Sequence, residues 1–148
     1  MTTRPRLVLH VDDDPQICGM VRARLAREGF DVLSLTDPRQ ALTDLEESGA
    51  RVVLLDIDMP HVDGLTLLRK IKVHDGGIQV IMLTAVVAMT SVLESLRYGA
   101  EACFFKPIVD VLPLAEALHD AFRKNARWWH SLDELSALKR QGQESVEV

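Results

Sequence analysis

Five short runs rich in apolar and β-branched residues, at 7–11, 31–35, 52–56, 80–83 and 102–105, punctuate the chain. Between them, apolar residues recur every three or four positions. Several of the runs are apolar without alternation, as parallel strands covered on both faces require, and the intervening spacing suits amphipathic helices. Strand and helix alternating in this way predict right-handed crossovers and an α/β, doubly wound parallel sheet. For five strands the expected order is 2-1-3-4-5, with the reversal between the first and third.

Turn chemistry agrees with this division. Asp14-Pro15 and Asp37-Pro38 each offer a side-chain acceptor at an N-cap and a preset φ at the first helical position. Asp63-Gly64 does similar duty before "LTLLRKI", and Ser91 with Glu94 has the spacing of a capping box. Gly29 and Gly99 are expected to stop helices. From Val111 onward Leu114, Leu118, Ala121, Asn125, Trp128, Leu132 and Leu135 recur at steps of three and four, which predicts a last helix running past the domain edge. The expected organisation is a domain over 5–124, a helical extension over 125–140 and a disordered tail over 141–148.

Composition narrows the functional classes. The chain has 148 residues, 47% of them hydrophobic, enough for one well-filled core. Its 22 acidic side chains outnumber 17 basic ones, so no nucleic-acid footprint is expected. The longest nearly apolar stretch, 80–89, is about half of the ~20 residues that a membrane span needs. Cys18 and Cys103 form no CxxC pair and "MTTRPR" lacks a signal-peptide core, which suits the cytoplasm.

The unusual chemistry lies where strands end. The run Val52 to Leu55 leads into Asp56 and Asp58, and the first strand leads into Asp12 and Asp13. In a 2-1-3-4-5 sheet these tips flank the switch-point crevice, so Asp12, Asp13 and Asp56 are expected to converge. Neighbouring carboxylates repel by roughly 4 kcal/mol per pair at 4 Å and an effective dielectric near 20, so a cation is required. Mg2+, with Asp12 and Asp13 as leading ligands, fits hard oxygen donors. Thr84 and Lys106, at the next two strand ends, add a hydroxyl and a fixed positive charge. A carboxylate nucleophile, metal, hydroxyl and ammonium together suit phosphoryl transfer onto Asp56.

With "VDDD", "LLDIDMPHVDG", "LTA" and "GAEACFFKP" in this order, the chain resembles the receiver domain of two-component response regulators over roughly residues 5–124. The resemblance implies a flavodoxin-like fold in which Asp56 accepts a phosphoryl group from a phosphohistidine on a sensor histidine kinase or histidine phosphotransfer protein. It implies that Asp12, Asp13, Asp56 and the Asp58 backbone carbonyl hold Mg2+, that Thr84 bonds the phosphoryl oxygens and that Lys106 pairs with the phosphate. Pro107 is expected to follow a cis bond. Such a domain catalyses its own phosphorylation and dephosphorylation but is not an enzyme with an external product.

Four features depart from that pattern or extend it. Cys103 stands where the family usually places its aromatic switch residue, so its coupling to Thr84 is altered; the plainer reading is a small buried strand residue. Asp58 either adds a fourth carboxylate to the site or points into solvent. The apolar "AVVAM" after Thr84 makes Val86, Val87 and Met89 either a partner surface or core. Trp128 and Trp129 either join two last helices in a homodimer or fold back on their own domain. The five histidines carry no metal pattern and are assigned surface or satisfied core roles.

Two alternatives to a stand-alone receiver remain. The chain could be the receiver part of a longer regulator with a separate effector domain; the absence of a following effector motif favours the stand-alone reading. "LLDID" also fits haloacid-dehalogenase-type phosphatases, but those place their acidic pair after the Lys, whereas here it comes before. The downstream protein target is not specified by any motif.

Overall fold

The computed structural model describes residues 6–146. Its strands are β1 (Leu7–Val11), β2 (Asp31–Leu35), β3 (Val52–Leu55), β4 (Gln79–Thr84) and β5 (Ala102–Phe105). They form one five-stranded parallel sheet in the order β2-β1-β3-β4-β5. The helices are α1 (Pro15–Arg27), α2 (Ala41–Ser48), α3 (Gly64–His74), α4 (Met89–Arg97) and α5 (Leu112–Val146). Asp56 lies just beyond β3 and not within it, while β4 extends one residue further at each end than the apolar run suggests.

Strand side chains alternate between two cores. Leu9, Val11, Val53, Leu55, Val80 and Met82 pack with Ala41 and Leu45 of α2 and with Leu67, Leu68 and Ile71 of α3. Val8, Val52, Leu54, Ile81 and Leu83 pack on the other face with Val21 and Leu25 of α1 and with Leu114, Leu118 and Ala121 of α5. This two-sided burial explains why the central strands read as unbroken apolar runs. Each fully buried Leu or Ile contributes about 1.5–3 kcal/mol relative to exposure, so the sheet centre is the most strongly held part.

The caps fall largely where their residue types require. Asp14 accepts a hydrogen bond from the Gln16 N–H and Asp63 from the Leu65 N–H. Asp37 accepts from the Arg39 N–H, but it opens a 3-10 turn, Pro38–Gln40, which then runs into α2. Gly29 and Gly99 have φ of 92° and 95°, beyond the ends of α1 and α4. The capping box expected at Ser91 is not formed. Helix α4 begins earlier, at Met89, with Ala88 as an N-cap that makes no side-chain bond, which places Ser91 inside the first turn. The helix α5 continues through Val146, into the stretch expected to be a tail. Gly142 is the sole strong helix-weakening residue there, and one Gly costs only about 1 kcal/mol against Ala.

Gly64 shapes the turn next to Asp56. Its N–H donates to the Ile57 carbonyl at 2.7 Å, and a Cβ built on it would lie 1.9 Å from the Asp56 carbonyl oxygen. A Gly64→Ala chain must therefore push backbone apart. It should lose at least about 1–3 kcal/mol of stability, read as a lower urea midpoint, while Gly142→Ala should leave the midpoint unchanged or raise it.

Candidate functional site

Backbone bonds tie the tip of β1 to β2, that of β3 to β1 and that of β5 to β4. The Asp12 N–H donates to Leu35, the Asp56 N–H to Val11, and the Lys106 N–H to Thr84, at 3.1, 3.0 and 2.9 Å. These bonds fix where each polar side chain leaves the sheet. Asp12, Asp13 and Asp56 each contribute a carboxylate oxygen to a group lying within 4.8 Å of one another. Asp12 and Asp56 are buried and Asp13 is exposed.

Lys106 bridges two of these carboxylates. Its Nζ is 2.6 Å from Asp12 Oδ2 and 3.2 Å from Asp56 Oδ2, a bridge from β5 to the ends of β1 and β3. Burial acts to lower the Lys106 pKa, but its close ion pair with Asp12, joined by Asp56, raises it overall. For Asp56, burial pushes the pKa upward; Lys106 opposes this and the Asp12 charge reinforces it. One ammonium therefore leaves the pocket short of positive charge. Asp56 Oδ1 is buried without a hydrogen-bond partner among the described residues. An unpaired carboxylate oxygen beside two further carboxylates is the environment that a hard cation with oxygen ligands suits, so the site could hold a metal ion.

Thr84 is fully buried, and its hydroxyl accepts a hydrogen bond from the Val86 N–H at 3.1 Å. That bond connects the site directly to the following loop. Beneath the carboxylates, Cys18 donates from Sγ to the Asp12 carbonyl at 3.4 Å, and burial pushes its thiol up to about 11, so it supports the β1–α1 turn as a thiol. The Lys106-Pro107 bond is cis. Arg24 reaches from α1 to the Ile108 and Val109 carbonyls, fixing the segment just after it.

The two-sided expectations now separate. Asp58 is exposed, which favours the solvent-facing reading of its side chain. Val87 and Met89 are 80% and 76% exposed and Val86 is half-buried, so the loop after Thr84 is surface and not core. The reason is sparse cover: Ser95 is the sole buried residue of α4, and Leu93 and Leu96 also face solvent. Cys103 is half-buried beside the α3-side core, and burial raises its thiol pKa. Trp128 and Trp129 are 62% and 51% exposed, although Trp129 carries the Arg51 guanidinium 5.9 Å above its ring.

His10 overturns the bland assignment of the histidines. It is fully buried, and neither ring nitrogen has a hydrogen-bond partner among the described residues. The sequence holds a weak signal for it, a polar residue in an otherwise apolar β1, two positions before Asp12.

This chain belongs to the response regulator receiver domain family, whose model matches residues 8–119. It is 36% identical over 107 residues to the DNA-binding response regulator MtrA of Mycolicibacterium smegmatis, covering 72% of this chain and 46% of that protein. The transcriptional regulatory protein TrcR of Mycobacterium tuberculosis is 32% identical over 130 residues, covering 88% of this chain and 50% of TrcR. The chain thus spans about half the length of these curated relatives. Among solved structures, a response regulator receiver domain protein from Methanospirillum hungatei superposes with a TM-score of 0.77 at 27% identity, covering 84% of this chain and 98% of that one. The family match favours the receiver over the phosphatase alternative.

Charge burial at Asp56 has a testable sign. Its folded-state pKa is raised, so the ionised form costs stability at neutral pH, and the cost disappears as pH falls through that raised value toward the ordinary 3.8. Asp56→Asn should raise the urea midpoint at neutral pH, and its advantage over the natural chain should shrink on acidification. An equal midpoint at every pH would show that Lys106 already compensates the charge in full.

Proposed function

We propose that the chain is a phosphoacceptor receiver in a two-component phosphorelay, with Asp56 taking a phosphoryl group from phosphohistidine on a sensor histidine kinase or a histidine phosphotransfer protein. The observation that carries this reading is the Lys106 bridge between Asp12 and Asp56, beside a buried Asp56 oxygen with no hydrogen-bond partner among the described residues. An Asp56 oxygen attacks phosphorus, the P–N bond breaks, and the departing imidazole keeps the electron pair and takes up a proton. Mg2+, when held by Asp12, Asp13, Asp56 and the Asp58 backbone carbonyl, supplies counter-charge for the anionic donor. Lys106 transfers its pairing from the carboxylates to the new phosphoryl oxygens, and the Thr84 hydroxyl leaves the Val86 N–H to reach them.

That movement of Thr84 is a route to output, because it releases the loop carrying Val86, Val87 and Met89. Phosphorylation shifts the population of this loop and of α4, and a downstream protein target reads the change. Exposed Leu93, Leu96 and Phe105 extend the apolar surface available to it. With Cys103 in place of a ring, the loop and α4 carry the signal instead of an aromatic flip. The domain acts in the cytoplasm and catalyses only its own phosphorylation and dephosphorylation. No helix among the described residues is long and apolar enough to cross a membrane. MtrA is named as a DNA-binding regulator, which supports the alternative that this domain governs an effector in a longer chain; its own charge of -5 offers nucleic acid no grip.

The C-terminal helix suits a second copy of this chain. Trp128, Trp129, Leu132, Leu135 and Leu138 are each about half exposed or more. By helical spacing Arg127, Asp133, Glu134 and Arg140 lie on the opposite half, and Lys139 ends the apolar stripe. The five side chains present on the order of 500 Å² per chain, so a symmetric pair would bury about 1,000 Å², the lower bound for a specific interface.

Two measurements test these readings. Incubation with acetyl phosphate and Mg2+ should add the mass of one phosphoryl group, and neither Asp56→Asn nor a chelator-treated sample should gain it. Addition to Asp56→Asn would overturn the site. In sedimentation, the natural chain should form dimers and Leu132→Arg with Leu135→Arg should be monomeric; identical sedimentation of the two would discard the helix interface.

A further inference from the structure

His10 is a buried titratable group that the mechanism above leaves unused. It lies on β1, two residues from Val8 and so on the same face, toward the layer between the sheet and helices α1 and α5. It is fully buried, and both ring nitrogens lack hydrogen-bond partners among the described residues. A buried polar group left unpaired costs roughly 1–3 kcal/mol, which a Val or Leu at this strand position would avoid. Nε2 is 3.9 Å from Asp12 Oδ2, about one ångström beyond a hydrogen bond.

The same Asp12 oxygen is held at 2.6 Å by Lys106. While Lys106 is there, its charge compensates that oxygen, which like the imidazole has no hydrogen-bond partner among the described residues. Once Lys106 turns to a phosphoryl group on Asp56, Asp12 Oδ2 loses that compensating charge in a place fully closed to solvent. His10 Nε2, 3.9 Å from the same oxygen, faces it with a nitrogen that has no other partner among the described residues. A neutral imidazole has a single N–H to give, and Nε2 is the nitrogen within 3.9 Å of the Asp12 carboxylate.

We propose that His10 is a positioning residue for Asp12: its Nε2–H takes over the Asp12 carboxylate when Lys106 moves to phosphorylated Asp56, keeping Asp12 oriented toward the cation. This inference rests on the phosphoacceptor reading of Asp56. It assigns the otherwise unpaired imidazole a partner in one state of the cycle. Outer hydrogen bonds of this kind commonly alter metal affinity by 10- to 100-fold.

The test uses the whole chain, labelled with nitrogen-15 in its histidine rings, with Mg2+ and beryllofluoride as a stable stand-in for the phosphoryl group. Long-range proton–nitrogen spectra should show His10 with its proton on Nε2, and that proton should become hydrogen-bonded and slow to exchange when both reagents are added. A proton on Nδ1, or no change at Nε2, would overturn the proposal. Mg2+ affinity in the presence of beryllofluoride gives a second readout. It should fall about tenfold or more in His10→Leu and return in His10→Gln, whose amide N–H can occupy the Nε2 position, but not in His10→Asn. Equal affinities in all four chains would also refute it. If acetyl phosphate labels Asp56 but His10 does not respond, this inference alone fails; if Asp56 is never labelled, the phosphoacceptor reading fails and takes this one with it.

Discussion

One ammonium among buried carboxylates sets the terms for the rest of the molecule. Lys106 is carried at the end of β5, and the acids it bridges stand at the ends of β1 and β3, with β4 between. Ionised groups in so closed a place would separate, protonate or recruit water unless the backbone held them together. The parallel sheet supplies that restraint, because every strand delivers its end to the same side and backbone bonds lock Asp56 to Val11 and Lys106 to Thr84. Sheet order therefore has a chemical meaning: β1 and β3 are neighbours, and helices leave in opposite directions from them, so a crevice opens above their tips.

Rigidity and looseness are distributed unevenly around this crevice. Below it, every residue of β3 and β4 is buried, and α3 sends a row of leucines and Ile71 into the core. Beside it, α4 commits one buried serine and leaves most of its apolar side chains outside. A local change in hydrogen bonding at Thr84 is thus transmitted more easily toward α4 than into the sheet, since few packing contacts resist there. Arg24 adds the opposite effect on the other flank, where its two carbonyl contacts hold the segment after Pro107 to α1.

How much of this could be read from the sequence depended on whether a residue acted through local or long-range physics. Three of the five strand ranges, the aspartate caps at Asp14 and Asp63 and the stops at Gly29 and Gly99 follow from neighbouring residues, and they were legible. The meeting of Asp12, Asp13 and Asp56 was legible as well, because a parallel sheet turns distant strand ends into neighbours. Ser91 misled because its spacing to Glu94 is local, whereas the start of α4 follows the path of the preceding loop. The exposure of Val87 and Met89 was undecidable for a different reason: an apolar loop looks the same whether or not another element covers it. His10 escaped notice because its significance is the absence of a partner, and no spacing rule encodes an absence. The continuation of α5 past Gln141 was hidden by polar composition, which an exposed helix tolerates readily.

The projecting part of α5 also acts as a lever. It is rooted in the α1-side core through Leu118 and Ala121 and braced where Lys124 meets Glu101 at 2.8 Å. From Lys124 to Val146 it extends for on the order of 33 Å at 1.5 Å per residue. A stiff rod of that length magnifies whatever happens at its root, so a tilt of a few degrees there becomes a sweep of several ångströms at the far tip.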